Sequence, residues 1–261
     1  MQPFRAKKYL GQHFLTDVGI AERIVQSLTA ADTRQVLEVG PGAGVLTRLL
    51  MAREDICLRA VEVDKESVGY LQPHLPALAP RLVQGDFLRM DLSALFDGKF
   101  CLIGNFPYNI SSQILFKVLD CRDSIPEVVC MLQREVAERI AAPPGSRTYG
   151  ILSVLLQAYY GIEYLFTVDE HVFSPPPKVK SAVVRLVRNR VAALGCSEAL
   201  FRRVVKGTFN QRRKTIRNSL KPLLGGAALV HPLLDLRPEQ LGVADFVELT
   251  GAVEEALRPR S

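Results

Sequence analysis

The sequence lacks any long apolar run. The longest apolar stretches, such as residues 151–156, are interrupted by polar residues within a turn or two, whereas a membrane-spanning helix needs about 20 apolar residues. Residues 1–5 also lack the apolar centre of a signal peptide. We therefore expect a cytoplasmic protein that has no contact with a membrane.

Cysteine and histidine are scarce and scattered. Five cysteines and four histidines are spread along the chain, and no two cysteines have the C-x-x-C spacing of zinc knuckles and thioredoxin-like pairs. An odd number of cysteines in a chain without a secretion signal is typical of reduced thiols in a core. The sequence therefore predicts no metal site.

Acidic residues are nearly absent from one segment. Residues 171–221 include thirteen lysines and arginines but a single acid, Glu198. This segment carries a charge of +12 in a chain of net charge +6, which leaves −6 for the remainder. Such a block indicates a surface that binds a polyanion, although a solvated basic face gives the same count. We expect several of these cations to pair with acids elsewhere.

Short apolar runs alternate with helical patterns in the first 190 residues. Strands are predicted at residues 36–39, 58–63, 82–84, 100–103 and 128–132, with late strands at 162–168 and 182–187. Helices are predicted at residues 17–28, capped by Asp17, and at 45–50, 67–71, 112–119, 136–140 and 149–160. This alternation predicts a parallel sheet with helices on both faces, to which the late strands add an antiparallel edge.

The pattern changes near residue 190. Residues 200–209, 215–224 and 243–257 have helical periodicity, and no strand pattern follows residue 191. We therefore predict a doubly wound α/β domain in residues 1–190 and a small α-helical domain in residues 191–261.

The first predicted strand ends in a glycine-rich turn. Gly40, Gly42 and Gly44 allow the backbone to approach a ligand closely. The turn has no Gly-Lys-Ser/Thr, which argues against a triphosphate P-loop, and it lacks the third glycine of the dinucleotide fingerprint because position 45 is valine. These differences favour a nucleoside over a pyrophosphate ligand.

Acidic residues follow the next two strands. Glu62, 22 residues after Gly40, is placed to accept hydrogen bonds from ribose hydroxyls. Asp86 can accept from an adenine amino group, with Phe87 beside the ring. Either acid alone is also a suitable helix N-cap. Together with the glycine turn they suit an adenosine that bears a sulfonium cation, and they suit phosphates poorly.

The fourth strand ends in the most specific motif of the chain, Asn105-Phe106-Pro107-Tyr108. The N6 amine of adenine is a poor nucleophile because its lone pair is delocalised into the ring. The Asn105 side-chain oxygen and the Phe106 carbonyl can accept its two hydrogens and favour a pyramidal amine. Pro107 fixes the turn, and Tyr108 can stack on the base. The motif could also be an ordinary turn, but its place after a fourth strand favours a role in the methylation of an adenine amine. In such a reaction the enzyme contributes chiefly by positioning the reactants.

These motifs together form a family pattern. From about residue 10 to about residue 224, the chain resembles the ribosomal RNA adenine dimethyltransferase family, and within it the small-subunit branch. The resemblance lies in residues 10–17 (LGQHFLTD), the glycine turn, Glu62, Gly85-Asp86, and residues 105–108, 172–179 (VFSPPPKV) and 209–217 (FNQRRKTIR). The first and last of these segments are specific to this family.

The resemblance implies a fold, a cofactor and a substrate. It implies a Rossmann-like methyltransferase sheet with a C-terminal helical domain that docks on RNA, and S-adenosylmethionine as the cofactor. The implied reaction is N6,N6-dimethylation of two adjacent adenosines in a hairpin loop near the 3′ end of small-subunit (16S-type) ribosomal RNA. The implied partner is an immature 30S-type particle, and we expect a monomer.

The resemblance also implies roles for individual residues. The catalytic residues would be Asn105, Phe106, Tyr108 and Phe173. Among them, Phe173 would form the second wall of a base clamp opposite Tyr108, with core packing as its alternative role. The cofactor-binding residues would be His13, Leu15, Gly40, Gly42, Glu62, Asp86 and Asn105.

A set of cations is predicted to bind the RNA backbone. The set comprises Lys178, Arg212, Arg213, Lys214 and Arg217. If the last four lie on a helix, Lys214 and Arg213 share a face with Arg217, three and four residues on. On that helix Arg212 would point away from the face that Arg213, Lys214 and Arg217 share, and it can stabilise the fold instead of binding RNA.

Two positions depart from the family pattern. Phe106 stands where a leucine is expected, which changes the shape of the pocket but preserves the main-chain carbonyl. Lys180 stands where an acid is common, so that a local ion pair is altered.

Three other functions remain open at this point. An enzyme that dimethylates large-subunit RNA and confers antibiotic resistance would share the catalytic motif, but residues 209–217 and the proline-rich turn favour the small-subunit branch. An assembly factor whose docking matters more than its catalysis is the second alternative. A small-molecule methyltransferase is the third, and the basic segment argues against it.

Overall fold

The computed structural model describes residues 6–258. Residues 1–5, in which the sequence predicts no signal-peptide centre, and residues 259–261 lie outside the described part of the chain. The chain divides into two compact units, the first comprising residues up to 137 and 161–188, and the second 138–160 and the residues from 189 onward. The functional division at residue 190 stays a prediction, and residues 138–160 group with the second unit.

The first unit contains a seven-stranded sheet and a two-stranded one. The strands are β1 (Phe14–Leu15), β2 (Gln35–Val39), β3 (Cys57–Glu62), β4 (Leu82–Gln84), β5 (Cys101–Asn105), β6 (Glu127–Gln133), β7 (Tyr160–Val168), β8 (Phe173–Ser174) and β9 (Ser181–Arg188). The large sheet has the order β4-β3-β2-β5-β6-β9-β7, and β1 pairs with β8 in the small one.

The strand directions confirm the predicted α/β class. Strands β2 to β6 run parallel to one another, and β9 runs antiparallel to β6. From β2 the chain first builds outward through β3 and β4, and it then returns to place β5 on the other side of β2. Ligands of open α/β sheets bind at such a reversal, beyond the carboxyl ends of the strands.

Ten helices and several short 3-10 turns complete residues 6–258. They are α1 (Val18–Gln26), α2 (Val45–Met51), α3 (Lys65–His74), α4 (Ser111–Asp120), α5 (Arg134–Ala141), α6 (Ile151–Gln157), α7 (Glu198–Phe209), α8 (Ile216–Ser219), α9 (Lys221–Leu224) and α10 (Val243–Leu257). The Asp17 carboxylate accepts from the N–H of Ile20 and caps α1 as predicted.

Among the described residues of the second unit, the regular secondary structure is helical apart from Tyr160, the first residue of β7. Helix α7 packs against α6 and α10. The ring of Phe209 in α7 lies 6.0 Å from that of Tyr149, two residues before α6, and 5.9 Å from that of Phe246 in α10. Such contacts bury a large apolar area in a small unit.

The predicted helix over residues 215–224 is wrong in detail. The structure has two short helices there, α8 and α9, separated at Leu220. Pro222 has no N–H to donate to a preceding turn, and it lies in the first turn of α9, where a helix tolerates proline. The expectation that Arg212, Arg213 and Lys214 lie on a helix is also wrong, because they form the turn between α7 and α8.

Candidate active site

An open cleft of about 710 Å³ lies at the carboxyl ends of β2, β3 and β5 in the first unit. The lining residues are Leu10–Leu15, Glu38, Gly40, Pro41, Gly42, Ala43, Val45, Leu46, Glu62, Val63, Asn105, Phe106, Pro107 and Tyr108. The cleft therefore brings together three of the four predicted catalytic residues and six of the seven predicted cofactor-binding residues.

The glycine turn forms one wall of this cleft. Gly40 and Gly42 have φ angles of 71° and 53°, in the left-handed region that side chains other than glycine rarely adopt. A β carbon at Gly42 would lie 2.9 Å from the ring of Phe14, so the turn must be bare for the N-terminal segment to close on it. A β carbon at Gly40 would meet nothing within 4 Å, which leaves this backbone open to a ligand.

Glu62 ties the glycine turn to the end of β3. One carboxylate oxygen accepts the N–H of Gly42 at 3.0 Å, and the other accepts the N–H of Asp64 at 2.9 Å. Burial raises the pKa of Glu62, and these backbone hydrogen bonds oppose the rise. Glu62, the residue predicted to bind the ribose hydroxyls, thus lines the cleft, and hydrogen bonds from the backbone on both sides fix the orientation of its carboxylate.

Asp64 anchors the N-terminal segment, a role that the sequence alone did not predict. Its carboxylate caps α3, pairs with Lys7 at 2.5 Å and accepts from Gln12 at 3.0 Å. Burial alone would raise the pKa of Asp64, but the hydrogen bonds from Lys7 and Gln12 outweigh it and lower the pKa. The only sequence signal was its place before a helix, which is that of an ordinary cap.

The segment that follows carries His13 and Leu15 to the cleft. Leu15 lies in β1, whose partner in the small sheet is Phe173 in β8. The Nδ1–H of His13 donates to the carbonyl of Pro175 at 2.8 Å. Both residues line the cleft, as expected for side chains that enclose a cofactor.

Asn105 ends β5 and is fixed in orientation by the N-terminal segment. Its Nδ2 donates to the carbonyl of His13 at 2.9 Å, which leaves Oδ1 as an acceptor. A β carbon at Gly104 would lie 2.5 Å from the carbonyl of Val39, so only glycine lets the ends of β2 and β5 approach this closely. Phe106 is fully buried and donates its N–H to the carbonyl of Met131.

Two contacts hold the side chain of Tyr108, one at its hydroxyl group and one on the face of its ring. The hydroxyl is hydrogen-bonded to that of Ser181, a fully buried residue at the start of β9, and the ring stacks on His13 with a centroid distance of 5.4 Å and an interplanar angle of 27°. Burial raises the pKa of Tyr108, so the phenol is neutral near pH 7. Sequence reasoning assigned no role to Ser181, because the contact joins residues 73 positions apart.

Two predicted site residues lie away from the described lining of the cleft. Phe173 is 3% exposed and packs in the hydrophobic core of the first unit. Asp86 follows β4, where its carboxylate accepts the N–H of Leu88 and lies 3.5 Å from the guanidinium of Arg89. The flanking ring of Phe87 is also buried. A base clamp through Phe173 and an adenine contact through Asp86 stay predictions.

Several cations of the basic segment have acidic partners, as the charge count led us to expect. Four of the pairs are Lys180 with Asp169, Arg185 with Glu163, Arg188 with Asp123, and Arg217 with Asp235. The first of these involves the position at which the family usually has an acid.

The predicted RNA-binding cations differ in their surroundings. Arg212 donates to the carbonyl of Ser146 and lies 3.8 Å from Glu239, so its side chain is engaged in contacts within the second unit. Lys178, Arg213 and Lys214 are exposed, and no ion pair joins any of the three to a described acid. Of the five candidates, these three have the charge available for a phosphate.

Residues 6–258 contain no group of three or more histidine, cysteine, aspartate or glutamate side chains that could hold a metal ion. None of the helices in this range is long and apolar enough to cross a membrane.

The cleft fits the adenosine cofactor that the sequence predicted. A bare glycine turn and the fixed carboxylate of Glu62 are suited to a nucleoside. The side chain of Glu38 lies beside them, 1% exposed, and its Oε2 has no hydrogen-bond partner within the described structure. A buried acceptor without a donor is costly in an empty site, and a cationic ligand would compensate it.

Comparison with known proteins agrees with this geometry. The sequence profile of the ribosomal RNA adenine dimethylase family matches residues 3–238. The chain is 57% identical over 261 residues to the Ribosomal RNA small subunit methyltransferase A of Bacteroides thetaiotaomicron. The aligned region covers 99% of this chain and 97% of that protein.

Solved structures share the fold. A dimethyladenosine transferase from Plasmodium falciparum superposes with a TM-score of 0.79 at 23% identity, over 94% of this chain and 98% of that one. The 23S rRNA methyltransferase ErmE superposes with a TM-score of 0.66 at 26% identity, over 92% of this chain and 99% of that one.

Fold and cleft together define an S-adenosylmethionine-dependent methyltransferase with a Rossmann-like sheet. Within that class, the profile match and the identity over nearly the whole chain are specific. The chain belongs to the ribosomal RNA adenine dimethylase family.

Proposed function

We propose that this enzyme dimethylates N6 of two adjacent adenosines in a hairpin loop near the 3′ end of small-subunit (16S-type) ribosomal RNA. The observation that carries the proposal is the fixed Asn105 amide at the end of β5, beside the cleft that suits the cofactor. The high identity to a protein named for small-subunit RNA supports the choice of substrate.

The chemistry depends on the orientation of the target amine. Because the Nδ2 of Asn105 is engaged by the carbonyl of His13, its Oδ1 is the atom that can accept an amine hydrogen. The main-chain carbonyl of Phe106 is the second acceptor. Two such acceptors favour a pyramidal nitrogen whose lone pair points at the methyl donor, so the residues act by positioning. Bound S-adenosylmethionine supplies the methyl group as an electrophile.

The target base must also be held flat in the site. An adenine leaves its stack at a cost of a few kcal/mol, and Tyr108 offers a ring whose tilt is set by Ser181 and His13. A base stacked on an aromatic ring gains about 1–3 kcal/mol, which offsets that cost most readily for an unpaired adenine. A loop of a folded RNA provides such an adenine.

The partner in this proposal is an immature 30S-type particle in the cytoplasm, met by a monomer of this protein during small-subunit biogenesis. The exposed cations Lys178, Arg213 and Lys214 support contact with phosphates. We assign RNA docking to the second, helical unit with its turn between α7 and α8, and methyl transfer to the first unit.

A large-subunit substrate is the main alternative. The fold does not separate the two, because ErmE shares it. The segment FNQRRKTIR and the proline-rich turn after Phe173 favour the small subunit, as does the named relative. An assembly role in which docking matters more than catalysis can coexist with the intact Asn105-Phe106-Pro107-Tyr108 motif.

Mass spectrometry of ribosomal RNA from cells with and without this gene tests the proposal. Deletion is expected to remove two adjacent dimethyladenosines from the small-subunit RNA, and the parent gene to restore them. A gene that encodes Asn105→Ala provides the matched control, since it restores the protein but not the modification. Loss of a modification from large-subunit RNA instead would support the alternative.

A further inference from the structure

Glu38 is a buried carboxyl group in the cofactor cleft to which neither the proposed reaction nor the family assignment gives a role. It is the penultimate residue of β2, two residues before the first glycine of the turn; it is 1% exposed and contributes to the wall of the cleft. Its Oε2 and the hydroxyl of the fully buried Thr47 both lack a hydrogen-bond partner among the described residues. The group is therefore removed from water without full replacement of its hydrogen bonds.

Among residues 6–258, no cation compensates the charge of an ionised Glu38. The neighbours of Glu38 across the sheet are Ala60 on β3 and Ile103 on β5, both apolar. The groups that influence its ionisation are the carboxyl of Glu62 and the side chain of Thr47 on α2. None of the ion pairs within residues 6–258 includes Glu38.

Such an environment retains a proton. Burial raises the pKa of Glu38 to about 8; the side chain of Thr47 opposes this rise, and the negative charge of Glu62 adds to it to a smaller degree. Near neutral pH the empty cleft thus holds one neutral carboxyl group at Glu38. A positive charge placed in the cleft favours the ionised form, so that its arrival and the loss of the proton are linked.

We propose that Glu38 gives up its proton when S-adenosylmethionine enters the cleft, and takes a proton back once methyl transfer has removed the sulfonium charge. In the transfer the nitrogen–carbon bond forms as the sulfur–carbon bond breaks, the sulfonium becomes a neutral thioether, and the amine loses one proton to water. The solution can then supply the proton that Glu38 regains. The cleft in this way favours the cationic cofactor over the product S-adenosylhomocysteine, which carries one positive charge less.

Proton release on binding can be measured without RNA and without turnover. Calorimetric titrations at pH 7 in buffers of different ionisation enthalpy give the number of protons released with each ligand. We expect close to one proton for S-adenosylmethionine and clearly less for S-adenosylhomocysteine. Sinefungin, which carries an amine in place of the sulfonium, should resemble the cofactor. Affinity for S-adenosylmethionine should rise up to tenfold per pH unit towards pH 8 and then level off.

Two variants identify the group. Glu38→Gln should bind S-adenosylmethionine without proton release and with affinity independent of pH, and its preference over S-adenosylhomocysteine should shrink. Glu22→Gln, which changes an exposed carboxylate on α1, should behave as the parent.

Equal proton release with both ligands, or none with either, overturns the proposal. Proton release that persists in Glu38→Gln also overturns the proposal, because it would point to Glu62 as the group that loses the proton. If Glu38→Gln fails to fold, the numbers of protons that the parent releases with the three ligands still test the proposal. The measurement is independent of the RNA substrate, so an error in the proposed function would leave it unaffected.

Discussion

Asn105 donates its side-chain N–H to the main-chain carbonyl of His13, 92 residues earlier in the chain, over 2.9 Å. This hydrogen bond has two consequences. It closes the N-terminal segment over the end of β5, and it leaves Oδ1 as the amide atom that is available to accept from the target amine of the proposed reaction. The position of a single carbonyl therefore links the wall of the cleft to the turn that begins at Asn105.

The first prediction concerns this amide. Asn105→Ala should fold and bind S-adenosylmethionine, but it should lose on the order of 100-fold or more in turnover, as is usual when one preorganised polar group is removed. Asn109→Ala, an exposed asparagine four residues on in the same loop, is the matched control. Single-turnover methylation of immature subunits measures both, and a parent-like rate in Asn105→Ala would remove this residue from the chemistry.

Much of the site could be predicted because it depends on local pattern. A glycine turn after a first strand and an acid after a second must meet at one edge of a parallel sheet, and Gly40 and Glu62 do so. The positions of the strands along the chain and the cap at Asp17 likewise follow from short runs of sequence. These features need no knowledge of distant contacts.

The features that were missed are long-range contacts or local breaks. The Asp64–Lys7 pair and the Tyr108–Ser181 hydrogen bond join residues 57 and 73 positions apart, and helical periodicity carries no information on such pairs. The burial of Phe173 depends on its pairing opposite Leu15 in a two-residue strand, which is too short for a period to be detected.

Glu62 gives the second prediction. Its carboxylate fixes the glycine turn through Gly42, so Glu62→Ala should weaken S-adenosylmethionine binding by about 1–3 kcal/mol, the cost of losing a partner to buried donors. Glu62→Gln keeps one oxygen acceptor and should lose less. Calorimetric affinities of both variants, with Glu22→Gln on the exposed face of α1 as control, test this order; equal affinity in Glu62→Ala and the parent would contradict it.

Phe173 and Tyr108 should respond differently to truncation. Because Phe173 is buried in the core, Phe173→Ala should lower the free energy of unfolding by about 3–5 kcal/mol. Tyr108 is only partly buried, and Tyr108→Ala should cost much less stability while it impairs methylation. Urea unfolding followed by circular dichroism measures both. A Phe173→Ala variant of parent stability and reduced methylation would instead support the base clamp.

Glu38 gives a prediction on stability and pH in the absence of cofactor. Its pKa of about 8 in the folded state lies above the ordinary value of 4.5, so the folded state binds the proton more tightly than the unfolded state does. The resulting stability is fully present below about pH 4.5 and is lost as pH rises through about 8. At about 1.4 kcal/mol per pKa unit, the loss amounts to a few kcal/mol.

Glu38→Gln cannot titrate, so its free energy of unfolding should lack this fall. Urea unfolding of parent and variant at pH 5, 7 and 9, without cofactor, gives the comparison, and Glu22→Gln should follow the parent. Parallel pH profiles for the parent and Glu38→Gln would show that the buried carboxyl group is ionised throughout.

The turn between α7 and α8 gives the last prediction. Arg213 and Lys214 are exposed there without a described acidic partner, whereas Arg217 is held by Asp235 at 2.8 Å. If the two free cations contact phosphates, binding of immature subunits should depend on salt through them. Each lost contact lowers the slope of log affinity against log salt by about 0.7–0.9, so Arg213→Glu with Lys214→Glu should lower it by nearly twice that amount.

A matched double variant separates this contact from a general effect of charge. Arg81→Glu with Lys99→Glu reverses two exposed cations that precede β4 and β5, at the edge of the sheet opposite the cleft, and makes the same change in net charge. Filter binding over a salt series should leave its slope near that of the parent, while the turn variant loses both slope and methylation. Equal slopes in the two variants would mean that the long-range field of the protein attracts the RNA, and that the turn is a solvated basic face.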